Sequence, residues 1–183
     1  MKAYIISDED YKTEEYKVLR QKLGEFLAER KFEIQETSIA KDELHFCVGC
    51  YGCWMKKPGE CVMNDAMTNI NKTFNQSDIV IYLSPIVFGQ YSANIKKAID
   101  RGLPNVLPLF VPKADGTTGH PSRYKTKPKI IVIGYGEEVS KDESHLFQQI
   151  VKHRLDITAL VFSKDTSDFT KELGTIELKR IEV

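Results

Sequence analysis

The 183-residue chain has no excess of charge of either sign, no long apolar run and a single tryptophan. Its 26 basic and 26 acidic residues cancel, which argues against a nucleic-acid-binding surface. No stretch approaches the ~20 apolar residues of a membrane span, and Ser7 and Asp8 interrupt the short apolar run that a secretory signal would need. We therefore expect a cytoplasmic protein with no nucleic-acid or membrane partner.

Cysteine is absent outside one short stretch, residues 47–61, which we call the cysteine segment. Its spacing is C-x2-C-x2-C-x7-C, formed by Cys47, Cys50, Cys53 and Cys61. Structural disulfides are rare in the cytosol, so clustered cysteines there more often bind metal or do chemistry. Four thiolates from one flexible segment can surround a four-iron four-sulfur cluster. A zinc ion, or reduced thiols without metal, remain alternatives for the same four side chains.

Short apolar runs alternate with amphipathic stretches along the chain. With 42% hydrophobic residues the sequence can bury one core, and no linker or repeat divides it. Apolar side chains three or four residues apart predict helices between the strands and a closing helix after the last. The predicted strands cover residues 2–7, 32–38, 78–84, 129–136 and 156–163. We expect a single domain over residues 1–183.

Five strands that alternate with five helices imply right-handed crossovers and a parallel sheet covered on both faces. At this size the leading expectation is a flavodoxin-like three-layer α/β sandwich with strand order 2-1-3-4-5. A ligand in such a sheet lies beyond the carboxyl ends of the strands, near the switch point between strands one and three. The loops at residues 7–13, 84–92 and 134–140 are therefore the expected site.

Two stretches, CVGCYGCWMKKPGECVMNDAM and SPIVFGQYSANIKKAIDR, resemble the NADPH-dependent FMN reductase family. The cysteine segment is similar to that of the family's iron-sulfur flavoprotein branch. The resemblance implies an FMN-dependent NAD(P)H oxidoreductase that passes electrons to a small acceptor, such as a flavin, a quinone or a metal centre. It also implies a homodimer or homotetramer.

The resemblance further assigns the residues that would hold FMN. The loop after strand three would lie along the flavin ring, the loop after strand four would close its far edge, and two hydroxyls of the first loop would contact the phosphate. An isoalloxazine ring needs a flat apolar contact, and a nearby glycine lets the main chain come close. The assigned residues are Ser7, Thr13, Ser84, Pro85, Ile86, Val87, Phe88, Gly89, Gly134, Tyr135 and Gly136.

The first loop, SDEDYKTEE at residues 7–15, departs from the family pattern. The family's loop is rich in Ser, Gly and Arg and wraps the phosphate at a helix amino terminus. Here Glu9 stands roughly where a cation is expected, and Lys12 is surrounded by carboxylates. Each carboxylate repels a nearby phosphate by about 1 kcal/mol or more, whereas the same residues stabilise a helix start by ~0.3 to 1 kcal/mol each without any ligand.

Two further functions therefore stay open. If the four cysteines hold a cluster, the chain would be an iron-sulfur flavoprotein that carries electrons from a ferredoxin-like donor, although the gap before Cys61 is longer than is typical of that branch. If the acidic loop excludes FMN, the chain would be a flavodoxin-like binding module that has lost its cofactor.

Overall fold

A computed structural model describes residues 1–113, 116–152, 157–164 and 168–182. The strands are β1 Lys2–Asp8, β2 Glu33–Ile39, β3 Ile79–Val87, β4 Gln90–Tyr91, β5 Val111–Pro112, β6 Thr118–Gly119, β7 Thr126–Lys127, β8 Lys129–Tyr135, β9 Ile157–Phe162 and β10 Ile181–Glu182. The helices are α1 Glu14–Glu29, α2 Gly52–Met55, α3 Met67–Gln76, α4 Ala93–Asp100, α5 Lys141–Lys152 and α6 Phe169–Gly174.

The main sheet has the order β2-β1-β3-β8-β9, and every neighbouring pair in that path is parallel. With β8 and β9 as the fourth and fifth long strands, this confirms the predicted order 2-1-3-4-5. The three central strands β1, β3 and β8 are nearly continuous runs of buried residues. Such runs suit a parallel sheet that is covered on both faces.

Helices pack on both faces of the sheet, which confirms the three-layer α/β sandwich. Side chains alternate along β1, so that Ala3 and Ile5 face α1 and α6, while Tyr4 and Ile6 face α3, α4 and α5. Each fully buried aliphatic side chain contributes about 1.5 to 3 kcal/mol relative to its exposed state. Among the described residues, no helix is both long and apolar enough to cross a membrane.

Polar caps fix the starts of the helices that follow β3 and β8. Ser92 accepts the backbone N–H of Ile95 at the start of α4. Ser140 and Glu143 exchange side-chain and backbone hydrogen bonds ahead of α5 and so form a capping box. Because Ser92 directly follows β4, its cap also fixes the direction in which the chain leaves the hairpin.

The proline-rich stretch at residues 102–128 contains a 3-10 turn at Leu103–Asn105 and three short strands. β5 pairs with β6, and β7 pairs with β10 near the end of the chain. Arg180 donates to the carbonyl of Ser77 and to the hydroxyl and carbonyl of Thr126. These bonds attach the C-terminal stretch to the amino-terminal ends of β3 and β8.

Candidate functional site

A cavity of about 590 Å³ opens at the carboxyl ends of β1, β3 and β8. This is the predicted switch point, and the volume lies within the range of small-molecule sites. Five of the eleven residues assigned to the flavin line it: Thr13, Pro85, Ile86, Tyr135 and Gly136. The structure therefore brings together parts of all three predicted loops.

The loop after β3 is a tight hairpin. Ile86 pairs with Tyr91, and the turn residues Phe88 and Gly89 both have positive φ, at 50° and 72°. Two consecutive positive φ values are typical of the two-residue turn that joins antiparallel strands. Phe88 is 88% exposed, so its side chain extends into solvent rather than along the cavity wall. The apolar contact in the cavity comes instead from Pro85 and Ile86.

Two other assigned residues shape the cavity without presenting a polar group to it. Ser84 is buried, and its hydroxyl accepts the N–H of Ser92 and donates to the carbonyl of Pro85. A Cβ on Gly134 would lie 2.6 Å from the Phe147 ring and 2.8 Å from Ile86. Gly134 therefore lets Ile86 lie against β8. Val87 forms the last pair of the hairpin before the turn.

Tyr135 connects β8 to the first loop. Its hydroxyl donates to the carbonyl of Tyr11 over 2.9 Å, and its ring packs 5.7 Å from that of Tyr16. Burial raises the pKa of the Tyr135 phenol, and the nearby Asp8 carboxylate adds to that effect. The group is therefore a neutral hydrogen-bond donor that holds the first loop in place.

The first loop forms a 3-10 turn, Glu9–Tyr11, around the buried Asp8. Oδ1 of Asp8 accepts the backbone N–H of Asp10 and the side-chain amide of Asn94, each over 3.0 Å. Asn94 also donates to the carboxylate of Asp10 over 3.0 Å. Oδ2 of Asp8 is buried and has no hydrogen-bond partner in the described part of the chain.

Both hydroxyls assigned to the phosphate are bonded within the protein. Ser7 is fully buried and lies 2.9 Å from the hydroxyl of Ser38. Thr13 caps α1 by accepting the N–H of Tyr16. Lys12, the cation of the loop, donates to the hydroxyls of Ser7, Ser38 and Tyr16 over 3.0, 2.7 and 2.7 Å, so it points toward β2.

Sequence reasoning missed two polar residues that line the cavity, Glu137 and Lys164, and one that holds the first loop, Asn94. Lys164 lies 2.6 Å from Glu137 and 3.8 Å from Glu15. Its hydrogen bond lowers the pKa of the Glu137 carboxyl, and the same bond raises the pKa of the Lys164 ammonium. The sequence did contain a signal for two of them, because Glu137 and Lys164 closely follow the predicted fourth and fifth strands, whose ends lie at the expected site.

These contacts test whether the residues fit FMN. The cavity fits the flavin ring, because Pro85 and Ile86 offer apolar surface and Gly136, which has no side chain, exposes main chain beside them. The phosphate end does not fit, because the hydroxyls and the lysine of the first loop already have partners. A phosphate dianion at this position would face the carboxylates of that loop.

The cysteine segment follows β2, so it begins at the carboxyl-end edge of the sheet, where the first cavity also lies. Cys47 and Cys50 are exposed, Cys61 is half-buried, and Cys53 is buried in α2. Burial raises the pKa of the Cys53 thiol, and the proximity of Cys61 adds to that effect. Within the described ranges, no three side chains of His, Cys, Asp or Glu are arranged to hold a metal ion. A cluster would require these cysteines to move together.

A buried ion pair anchors the end of the cysteine segment to α4. Arg101 donates to the carboxylate of Asp65 and to the carbonyl of His45, and its other terminal nitrogen lies 3.1 Å from Sγ of Cys61. The side chains of Arg101 and Asp65 are only 1% and 7% exposed. Arg101 is therefore a fixed hydrogen-bond donor to one of the four cysteines.

Trp54 anchors the middle of the segment. Its indole N–H lies within 3.1 Å of the carbonyl of Leu103 and 3.0 Å of that of Val106. Its ring stacks on Tyr51 and contacts His120. A second cavity, of about 490 Å³, lies beside Cys61. The cysteine segment therefore packs against the proline-rich stretch rather than against the first cavity.

The chain is similar to known proteins in sequence and in fold. The model of the NADPH-dependent FMN reductase family matches residues 1–154. An iron-sulfur flavoprotein from Archaeoglobus fulgidus is 37% identical over 73 residues, which cover 40% of this chain and 32% of that protein. One from Methanocaldococcus jannaschii is 37% identical over 78 residues, covering 43% and 39%. The matches span well under half the length of these two relatives.

Among solved structures, an NAD(P)H:quinone oxidoreductase from Methanothermobacter marburgensis has a TM-score of 0.64 and 11% identity, over 94% of this chain and 92% of that protein. At that identity the likeness concerns the fold. The family match extends over more than four fifths of the sequence and includes the three loops around the first cavity. The chain therefore belongs to the NADPH-dependent FMN reductase family, as its motifs predict.

Proposed function

We propose that this chain is an NAD(P)H-dependent flavin oxidoreductase. The observation that carries the proposal is the position of the first cavity. It lies at the switch point of a flavodoxin-like sheet and is lined by Pro85, Ile86 and Gly136, in a chain of a flavin reductase family. A flavin ring held there would lie between the loops after β3 and β8.

The protein's own contribution in this scheme is placement. Pro85 and Ile86 give the ring an apolar surface, the hairpin after β3 keeps them fixed, and the Tyr135 hydroxyl holds the first loop beside them. The flavin supplies the redox chemistry when bound, accepting hydride from the nicotinamide and delivering electrons to the acceptor. No side chain has to act as a general base. We propose a small electron acceptor such as a quinone, a free flavin or a metal centre.

The test is NADPH and NADH oxidation by the purified protein with added flavin and a water-soluble quinone. We expect Ile86→Asp, which places a carboxylate on the cavity wall, to lower the rate at least about tenfold because the apolar ring contact is lost. Val18→Asp, at a 46% exposed position of α1, is the matched control and should keep the rate. Equal rates for the wild type and Ile86→Asp would contradict the proposed site.

A second candidate is an iron-sulfur flavoprotein that carries electrons from a ferredoxin-like donor. The observation that favours it is the Arg101 hydrogen bond to Cys61, since donors to cluster sulfurs are part of how proteins tune such centres. We propose Cys47, Cys50, Cys53 and Cys61 as the ligands.

Protein purified without oxygen decides this candidate. Four irons and four sulfides per chain with a broad brown absorbance would support it. Stoichiometric zinc, or titratable thiols with no metal, would contradict it. Failure of apoprotein to bind any flavin at millimolar concentration would instead favour a flavodoxin-like binding module that has lost its cofactor.

We further propose that the chain is a single domain over residues 1–183 and forms a cytoplasmic homodimer or homotetramer. The C-terminal strand β10 supports the first point, because it pairs with β7 next to the main sheet. Sedimentation velocity on the purified chain tests the second. A monomer at micromolar concentration would contradict it.

A further inference from the structure

The walls of the first cavity carry an unbalanced charge. Among the residues that the structure describes, Glu14, Glu15 and Glu137 line it together with one cation, Lys164. That lysine lies 2.6 Å from Glu137 and 3.8 Å from Glu15, so its charge is already compensated. Asp10 lies at the adjoining turn, where Asn94 donates to it. A phosphate monoester, which carries close to two negative charges at pH 7, would enter a site with an excess of carboxylates.

Lys12, the cation of the first loop, points toward β2 and not toward the first cavity. Lys12 uses its ammonium on three hydroxyls, those of Ser7, Ser38 and Tyr16, at 3.0 Å or less. An ammonium has three donors, so these bonds use all of them. To reach a phosphate, Lys12 would have to leave the β1–β2 side of the sheet and expose the buried hydroxyl of Ser7.

Two further donors beside the loop, a backbone N–H and a side-chain amide, are also already used. A phosphate oxygen accepts hydrogen bonds, yet the N–H of Asp10 and the amide of Asn94 both donate to Asp8. Oδ2 of Asp8, buried beside them, lacks a donor within the described ranges. A buried carboxylate oxygen without a donor is costly, and a second anion nearby increases that cost. The loop therefore favours a neutral ligand with hydroxyl donors over an anionic one.

From these contacts we infer that the cavity selects a flavin without a phosphate, and that riboflavin rather than FMN is its preferred ligand. This inference rests on the proposed flavin site and deepens it. The ring contacts are the same for both ligands, because Pro85 and Ile86 do not reach the phosphate end. The difference between the two ligands therefore measures the charged groups around the cavity and not the ring contact.

The experiment is a titration of the apoprotein with riboflavin and with FMN, followed by quenching of flavin fluorescence at low and high salt. Riboflavin should bind roughly tenfold or more tightly than FMN at low ionic strength, because several uncompensated carboxylates act on a doubly charged group. The ratio should fall as salt screens the exposed carboxylates.

A charge-removal pair gives the matched control. Asp10→Asn with Glu14→Gln removes two exposed carboxylates at the loop and should strengthen FMN binding several-fold relative to riboflavin binding. Glu25→Gln with Glu29→Gln removes the same charge about three turns along α1. That separation of roughly 16 Å exceeds the screening distance of about 10 Å at 0.1 M salt, the ionic strength at which the two variant pairs are compared. This second pair should change neither affinity.

The outcomes separate the inference from the function on which it rests. FMN binding equal to or tighter than that of riboflavin would overturn the inference and leave the flavin site standing. The same increase in FMN affinity in both variant pairs would also overturn it, because the effect would then reflect net charge. Binding of neither flavin would overturn the proposed function and the inference together.

Discussion

At the scale of single residues, the clearest feature is a cation in the interior. The two terminal nitrogens of the Arg101 guanidinium donate to a carboxylate, a carbonyl and a thiol from the stretch that follows β2, while its buried Nε has no hydrogen-bond partner among the described residues. Burial would lower its pKa, but the bonds to Asp65 and Cys61 outweigh burial and keep that pKa raised. The side chain therefore remains charged and joins α4 to the cysteine segment.

Replacing Arg101 by Met should destabilise the protein by about 3 to 5 kcal/mol, because the carboxylate of Asp65 would remain buried without its counter-charge. Urea denaturation at pH 7 measures this change. Lys96→Ala, which breaks the exposed pair between Lys96 and Asp100 on the same helix, is the control and should cost about 1 kcal/mol or less. An equal loss of stability in the two variants would contradict a larger contribution from the buried pair than from the exposed one.

The same pair predicts a pH dependence. Burial would raise the pKa of the Asp65 carboxyl, but hydrogen bonds from Arg101 and from the backbone of His45 and Met67 outweigh burial and lower it. A lowered pKa in the folded state adds stability above the ordinary value near 3.8, which is lost as the pH falls through the folded value.

We expect the free energy of unfolding to fall more steeply below about pH 4 in the wild type than in Asp65→Asn. Urea titrations at several pH values between 3 and 7 check this. Parallel pH profiles for the two proteins would mean that the Asp65 carboxyl does not titrate differently in the folded and unfolded states.

At the scale of elements, the site depends on how closely β3 and β8 approach the helix that follows β8. Gly134 leaves space for the side chains of Ile86 and Phe147, and Tyr135 reaches back to the first loop. The cavity wall is therefore set by two strand ends and α5 together, and a small change in packing there reaches the proposed ring contact.

Gly134→Ala should destabilise the protein by about 1 to 3 kcal/mol, because the added methyl would lie under 3.0 Å from Phe147 and Ile86. It should also weaken flavin binding by displacing Ile86. Gly174→Ala, where the added Cβ meets nothing within 4 Å, is the control and should be neutral or slightly stabilising. Thermal unfolding and flavin titration measure both, and unchanged values for Gly134→Ala would refute the packing argument.

At the scale of the whole molecule, ligand binding and folding are coupled. The first cavity draws its walls from the ends of β1, β3 and β8, which are separated in sequence but adjacent in the sheet. The unfolded chain therefore has no such site, and a bound flavin stabilises only the folded state.

Riboflavin at about 100 times its dissociation constant should add roughly 2.7 kcal/mol to the free energy of unfolding. For a domain of this size that corresponds to a rise in Tm of about 5 to 10 °C. Differential scanning fluorimetry with and without riboflavin measures the shift. Ile86→Asp should show little or no shift, and an equal shift in that variant would place the ligand elsewhere.

The sequence by itself determined the fold, the strand order and the loops that meet at the cavity. Continuous apolar runs mark doubly covered strands, and caps such as Ser92 and Ser140 act within a few residues, so both are visible locally. The assignment of Ser84 and Gly134 to the site region also came from the sequence. Their detailed contacts did not.

Only the tertiary structure decided which of the predicted residues have free groups. Ser7 and Thr13 are present at the first loop, but bonds to Ser38, Lys12 and Tyr16 already occupy them. Ser38 lies on β2, 31 residues from Ser7, and a pairing of that kind leaves no periodic trace in a sequence. The sequence shows the charges of the first loop directly. The direction in which Lys12 points depends on where β2 places the hydroxyl of Ser38.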